Sequence, residues 1–169
     1  MANTVKNKVA LVTGAAAGIG AACSKRLARD GIAIGVLDLD AERCADTVKA
    51  IIDAGGEAIA LGADISKRDQ VQAAVQKLRD AFGPITIVVN NAGVTDFVPF
   101  DQITEERWEV VYKINVLGQI IVTQEVLGDM KAAGWGRVVM ISSSSGQTGA
   151  VGMATYSSSK GAIITLTRT

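Results

Sequence analysis

Short apolar runs rich in β-branched residues alternate with longer amphipathic stretches along the whole of this chain, and that rhythm restricts it to one kind of architecture. KVALVT (8–13), IAIGVLD (32–38), EAIALGAD (57–64), ITIVVN (85–90) and GRVVMIS (136–142) read as strands. Each is apolar on both faces, as a parallel strand covered on both sides must be. The stretches 18–30, 41–54, 67–82 and 104–133 carry helical spacing with Ala-Glu-Lys-Arg content to match. Strand and helix in series build right-handed βαβ units, so the expectation is an α/β fold: an open, doubly wound parallel sheet with helices on both faces. A chain of 169 residues, 49% apolar and 20% charged, can bury one core of its own. No linker, repeat or low-complexity segment divides it, and 1–169 reads as a single domain.

Seventeen basic and seventeen acidic residues cancel without any block of like charge, which argues against a nucleic-acid surface or an anionic membrane as partner. No run of about 18 apolar residues is read, so no membrane span is expected. Lys6 and Lys8 ahead of VALVTGAAAGIGAAC loosely resemble a signal segment ending before Cys23. Glycines at 14, 18 and 20 break that run, however, and have a better explanation below. Two cysteines, Cys23 and Cys44, and no histidine leave neither a disulfide framework nor an ordinary zinc site. No metal is expected, and the thiols suit a reducing cytoplasm. The partner this leaves is a small molecule.

The first strand runs into TGAAAGIG, Thr13 to Gly20. Gly14 permits a tight turn, while Gly18 and Gly20 let a phosphate approach the backbone and let the following helix pack on its strand. The start of that helix, Ala17 to Gly20, offers N–H groups and positive dipole to a pyrophosphate. Asp38 closes the second strand 18 residues after Gly20, where a carboxylate can accept hydrogen bonds from the adenosine ribose. The same carboxylate repels a 2′-phosphate, and Ala15, Ala16 and Ala17 supply no cation to neutralise one. NAD is therefore favoured over NADP. Arg43, just downstream, is read as a solvated helix residue; only its swinging in would reverse that preference.

The glycine spacing TGxxxGxG and the order of the later motifs resemble the classical short-chain dehydrogenase/reductase family. Asp64-Ile65 after the third strand is similar to the family's adenine-holding pair. Asn90-Asn91-Ala92-Gly93 resembles the NNAG segment beside the cofactor, Asn115 in INVLG resembles the helix asparagine, and Tyr156-Ser-Ser-Ser-Lys160 resembles the YxxxK signature. The family's serine lies 13 residues before the tyrosine and three before a glycine, which selects Ser143 over Ser144. Ser142 is then expected to finish the strand, and Ser144 and Ser145 to satisfy loop hydrogen bonds. The resemblance implies a Rossmann-like fold and an NAD(P) cofactor held by Gly14, Ala17, Gly18, Ile19, Gly20, Asp38, Asp64, Ile65, Asn91, Ala92, Gly93, Tyr156 and Lys160. It also implies a homo-oligomer formed through helix 104–133 and the helix starting near Tyr156.

Hydride transfer between a secondary alcohol and nicotinamide requires a proton to leave or join the substrate oxygen, and an ordinary phenol, titrating near 10, is a poor base at neutrality. Lys160 follows Tyr156 by one helical turn on the same face, so its ammonium can favour the phenolate. The resemblance adds that Tyr156 is the acid/base, that Lys160 also binds the nicotinamide ribose, that Ser143 donates to the substrate oxygen, and that Asn115 holds a water on the proton path. Trp108 and Trp135 are read as packing residues. Residues 94–97 are candidates for the substrate mouth, with Phe97 and Phe100 open between mouth and core.

The family continues past the YxxxK helix through a sixth strand, a mobile helical segment and a seventh strand. The chain is therefore expected to be a shortened form lacking the last two strands, with GRVVMIS left as an apolar edge. Two functional classes remain: an oxidoreductase of the alcohol dehydrogenase or 3-oxoacyl-reductase kind, and a dinucleotide-binding module without turnover. An epimerase or dehydratase fits less well, since TGxxxGxG with NNAG resembles the classical branch. Loop 144–154, with its small and weakly polar QTGAVGMAT, admits acyl thioesters, sugars, steroids or cyclic alcohols alike.

Overall fold

The computed structural model describes Val5 and residues 7–169; Lys6, part of the signal-like reading, lies outside the described residues. Five strands, β1 (Val9–Thr13), β2 (Ala33–Asp38), β3 (Ala58–Gly62), β4 (Ile85–Asn90) and β5 (Arg137–Met140), form one sheet in the order β3-β2-β1-β4-β5. Every pairing is parallel. The helices are α1 (Gly18–Ala28), α2 (Ala45–Asp53), α3 (Arg68–Phe82), α4 (Glu105–Tyr112), α5 (Gln119–Ala132), α6 (Ser145–Thr148) and α7 (Ala154–Leu166).

Alternation along β1 sends its side chains into two cores. Val9 and Leu11 pack with Val71, Val75 and Leu78 of α3 and Ile121, Val122 and Val126 of α5. Ala10 and Val12 pack with Ala28 of α1 and Ile51 of α2. Helices thus cover both faces, and β1, β2 and β4 are buried almost throughout, which is why their sequences are apolar apart from Thr86 and the strand-ending Thr13, Asp38 and Asn90. This is the Rossmann-like, doubly wound sheet that the alternation predicts. Strand order reverses between β1 and β4, and a crevice opens where their C-terminal ends diverge.

One side chain fastens that crevice. The Thr13 hydroxyl, fully buried, accepts hydrogen bonds from the backbone N–H of Asn91 at 3.1 Å and of Ala92 at 3.0 Å. The Asn91 amide donates in return to the carbonyls of Thr13 and Gly14, both at 3.0 Å. Thr13→Val keeps the shape and strands two N–H groups, so urea unfolding is expected to show a loss of about 1–3 kcal/mol. Thr13→Ser should lose under about 1 kcal/mol. An unchanged stability in the valine variant would mean that water reaches those groups.

Several boundaries depart from the sequence reading. β3 stops at Gly62 and β5 at Met140, so Ser142 does not finish the strand. The last ladder bond runs from Ile141 N–H to Asn90 O at 2.9 Å, after which the Ser142 hydroxyl turns to the Lys160 carbonyl at 2.7 Å. Stretch 104–133 is not one regular helix: Thr104 caps α4 by accepting from Arg107 N–H at 3.3 Å, and a π-turn, Lys113–Gly118, separates α4 from α5. The absence of an 18-residue apolar stretch is also corrected. Helical residues Glu105–Ala132 are long and apolar enough to cross a membrane by length and composition, but they pack on β4, α3 and α7 as a layer of the fold. β5 is an edge strand with Val138 and Val139 exposed, as expected. Trp135 packs on the α1/α2 core. Trp108 does not; it is exposed and stacked on Tyr112 at 4.2 Å.

Candidate active site

The crevice at the strand ends is a cleft of about 320 Å³ lined by Gly14, Asp38, Asp64, Ile65, Asn91, Ala92 and Gly93. Seven of the cofactor residues expected from sequence therefore share one cavity. Gly14 adopts φ +62°, a left-handed turn that brings the chain back beneath the cleft. Ala17, Gly18, Ile19 and Gly20 start α1 outside this lining. No side chain caps that helix and no acid sits in its first turn, so its leading N–H groups have no side-chain acceptor. At Gly18 the direction a side chain would take is open space.

Asp38 is held in place from two sides: Ala16 N–H donates to Oδ2 at 3.2 Å and Leu39 N–H to Oδ1 at 2.9 Å. Arg43 is not simply solvated. It lies in a short 3₁₀ turn, Glu42–Cys44, lines the cleft, and reaches Asp38 Oδ1 at 3.5 Å. Leu37, Leu39, Ala63 and Ile114 also line the cleft and were not picked out from sequence, whereas Val94, read as a candidate for the substrate mouth, lines this cleft too. An exposed leucine directly after a strand-ending acid, as at Leu39, was the signal available.

Beyond the NNAG end of the cleft, three elements converge. A side chain at Gly93 would meet Asn115 Oδ1 at 3.0 Å and Lys160 Nζ at 3.5 Å. Asn115 is buried in the π-turn; its Oδ1 accepts from Val94 N–H at 2.8 Å, and its amide donates to Val94 O at 2.9 Å and Ser159 Oγ at 3.0 Å. The side chain thus clips the loop after β4 to α7, and both amide protons are spent on protein. Lys160 is only 3% exposed. Its Nζ donates to the Ile141 carbonyl at 2.8 Å and lies 5.7 Å from the centre of the Tyr156 ring. Burial pushes the Lys160 ammonium below the usual lysine range.

The serine loop reaches the same helix. A Cβ on Gly146 would come within 2.7 Å of the Lys160 carbonyl carbon, so this position must be glycine for residues 142–146 to lie against α7. Ser143 and Ser145 are half-buried on that loop, whereas Ser144 is exposed. Across from it, Val98 N–H donates to Gly152 O at 2.8 Å, joining the loop after β4 to the loop before α7. Phe97 and Phe100 are 75% and 82% exposed, on the surface and not in the core. Arg107 grips Asp96 with two bonds, at 2.6 and 3.3 Å, and holds its carboxyl below the usual range. Among the described residues no group of three or more His, Cys, Asp or Glu could hold a metal ion.

A glycine-turned crevice with a fixed acid on the second strand, beside a Tyr-Lys pair on a later helix, defines a dinucleotide-type α/β fold with a site at the switch point. The short chain dehydrogenase family pattern matches residues 8–169, and the chain belongs to that family. It is 36% identical over 165 residues to galactitol 2-dehydrogenase of Agrobacterium fabrum, covering 97% of this chain and 63% of that protein. It is 37% identical over 163 residues to a 3-oxoacyl-[acyl-carrier-protein] reductase of Synechocystis sp., covering 96% and 66%. A crystal structure of NAD+-bound xylitol dehydrogenase superposes with a TM-score of 0.92 at 36% identity, covering 97% of this chain and 64% of that one. The chain thus spans about two thirds of the length of these relatives.

Proposed function

We propose that residues 1–169 form one dinucleotide-binding domain working in an NAD-linked oxidoreductase that interconverts a secondary alcohol and a ketone. The observation that carries this reading is the convergence of Gly93, Asn115 and Lys160 beside Tyr156, at the end of a cleft whose far side is the anchored carboxylate of Asp38. The uncapped start of α1 suits a pyrophosphate. Asp38 would hold the adenosine ribose, Asp64 and Ile65 the adenine, and Asn91, Ala92 and Gly93 the segment leading to nicotinamide. Arg43 is already paired with Asp38, so its charge is not left over for a 2′-phosphate, and this supports NAD over NADP.

When bound, nicotinamide supplies or accepts the hydride. The chain's own residues handle the proton. Tyr156 takes it from an alcohol oxygen or returns it to a carbonyl oxygen; Lys160, one helical turn away, carries its Nζ 5.7 Å from the centre of that ring; Ser143 donates a hydrogen bond to the substrate oxygen. Asn115 fixes the loop after β4 against α7, so that the cleft and the acid/base keep their spacing. The two thiols are free and suit a reducing compartment such as the cytoplasm. The surface strip of exposed Trp108 and Leu117 with half-buried Tyr112, Val116 and Ile120 supports a homo-oligomer.

The test is NADH formation from NAD with a panel of secondary alcohols spanning polyols, cyclic alcohols and 3-hydroxyacyl thioesters. Turnover with at least one class is expected. NADH binding without turnover by any class would favour the dinucleotide-binding module instead.

A further inference from the structure

We propose that Ser145 is a positioning residue for Ser143, the two hydroxyls forming a relay that aims the Ser143 proton at the substrate oxygen. This rests on the reading of Ser143 as the donor to that oxygen. A hydroxyl has one proton and two acceptor lone pairs, and its proton rotates towards whatever acceptor is offered. Ser143 Oγ accepts from the Ser145 backbone N–H at 3.2 Å and lies 2.9 Å from Ser145 Oγ. With the Ser145 hydroxyl donating, both lone pairs of Ser143 are occupied, and its own proton is left for the substrate. Without it, one lone pair is empty, and Ser143 is free to accept from an alcohol substrate in place of donating to the oxygen that carries developing charge.

The surrounding structure favours this division of roles. Among the described residues Ser145 Oγ has no other hydrogen-bond partner. Ser144, between the two, is exposed and engages through its carbonyl, which accepts from Gln147 N–H at 2.9 Å, Thr148 N–H at 3.1 Å and the Thr148 hydroxyl at 3.2 Å. Ser142 is committed to the Lys160 carbonyl at 2.7 Å. Four consecutive serines therefore hold four different stations. Gly146 against Lys160 and Gly161 keeps the pair at a fixed height on the helix that carries Tyr156.

The experiment is steady-state kinetics of the complete enzyme, with an alcohol it turns over, for Ser143→Ala, Ser145→Ala, Ser145→Thr and the double alanine variant, with NADH affinity and melting temperature measured on each. Ser145→Ala is expected to lower kcat roughly tenfold while KM and NADH affinity stay within about twofold. Ser145→Thr, which keeps the hydroxyl, should restore most of kcat. The double variant should be no slower than Ser143→Ala alone, because Ser145 acts only through Ser143. Effects that multiply in the double variant, an unchanged kcat in Ser145→Ala, or a loss that follows melting temperature and is not rescued by threonine would each overturn the relay. Full activity in Ser143→Ala would instead overturn the role given to Ser143 itself.

Discussion

Tyr156→Phe is expected to lower kcat by about 10²–10⁴-fold, the usual contribution of a positioned general acid or base, while leaving NADH affinity within about threefold. The substitution deletes one oxygen and keeps the ring, which sits on α7 with Lys160 Nζ 5.7 Å from its centre. Lys160 keeps its bond to the Ile141 carbonyl, and Asn115 keeps its clip between Val94 and Ser159, so the cleft has no reason to change. Loss of proton transfer without loss of binding should therefore appear as a fall in kcat and in kcat/KM together. A variant that kept more than a tenth of wild-type kcat would remove Tyr156 from the chemistry, whatever its place in the motif.

The second large effect concerns stability. A methyl group on Gly20 would lie 2.3 Å from the Gly14 carbonyl oxygen, 2.7 Å from Asn91 Nδ2 and 2.9 Å from Ala15 Cα. Two of those atoms belong to the backbone turn that leads into α1 and cannot rotate away. Overpacking of yielding side chains already costs about 1–3 kcal/mol, so Gly20→Ala is expected to cost about 3 kcal/mol or more and to abolish NADH binding in whatever fraction folds. Gly128→Ala is the matched control. It lies inside α5, where an added methyl meets nothing within 4 Å, and it should stabilise by about 0.5–1 kcal/mol through helix propensity. Equal stabilities for the two variants would mean that the turn at 14–20 is looser than described.

Most of this was legible in the sequence because it is carried by contiguous residues. Strands buried on both faces leave continuous branched apolar runs, and the glycine turn, the strand-ending acid and the Tyr-Lys pair are each local patterns. What could not be read depends on distant partners. The π-turn at Lys113–Gly118 is stabilised through Asn115, whose partners lie 21 and 44 residues away. Arg43 belongs to the cleft because the turn after β2 folds back on Asp38, and helical spacing alone placed it in solvent. The ends of β3 and β5 were overestimated because apolar composition continues past the last ladder bond. In the serine run, spacing picked Ser143, but the tasks of its neighbours follow from how Gly146 seats the loop on α7.

In the proposed function, Asp38 and its surroundings make this cleft a site for an unphosphorylated adenosine ribose. The measurement that tests it most directly is a pair of fluorescence titrations of the same sample, one with NADH and one with NADPH, with light scattering to confirm a folded species. NADH is expected to bind at least about tenfold more tightly, since a 2′-phosphate beside a fixed carboxylate is repelled by more than about 1.4 kcal/mol in a partly enclosed cleft. Equal affinity, or tighter binding of NADPH, would contradict it and would mean that Arg43 leaves Asp38 to meet the phosphate.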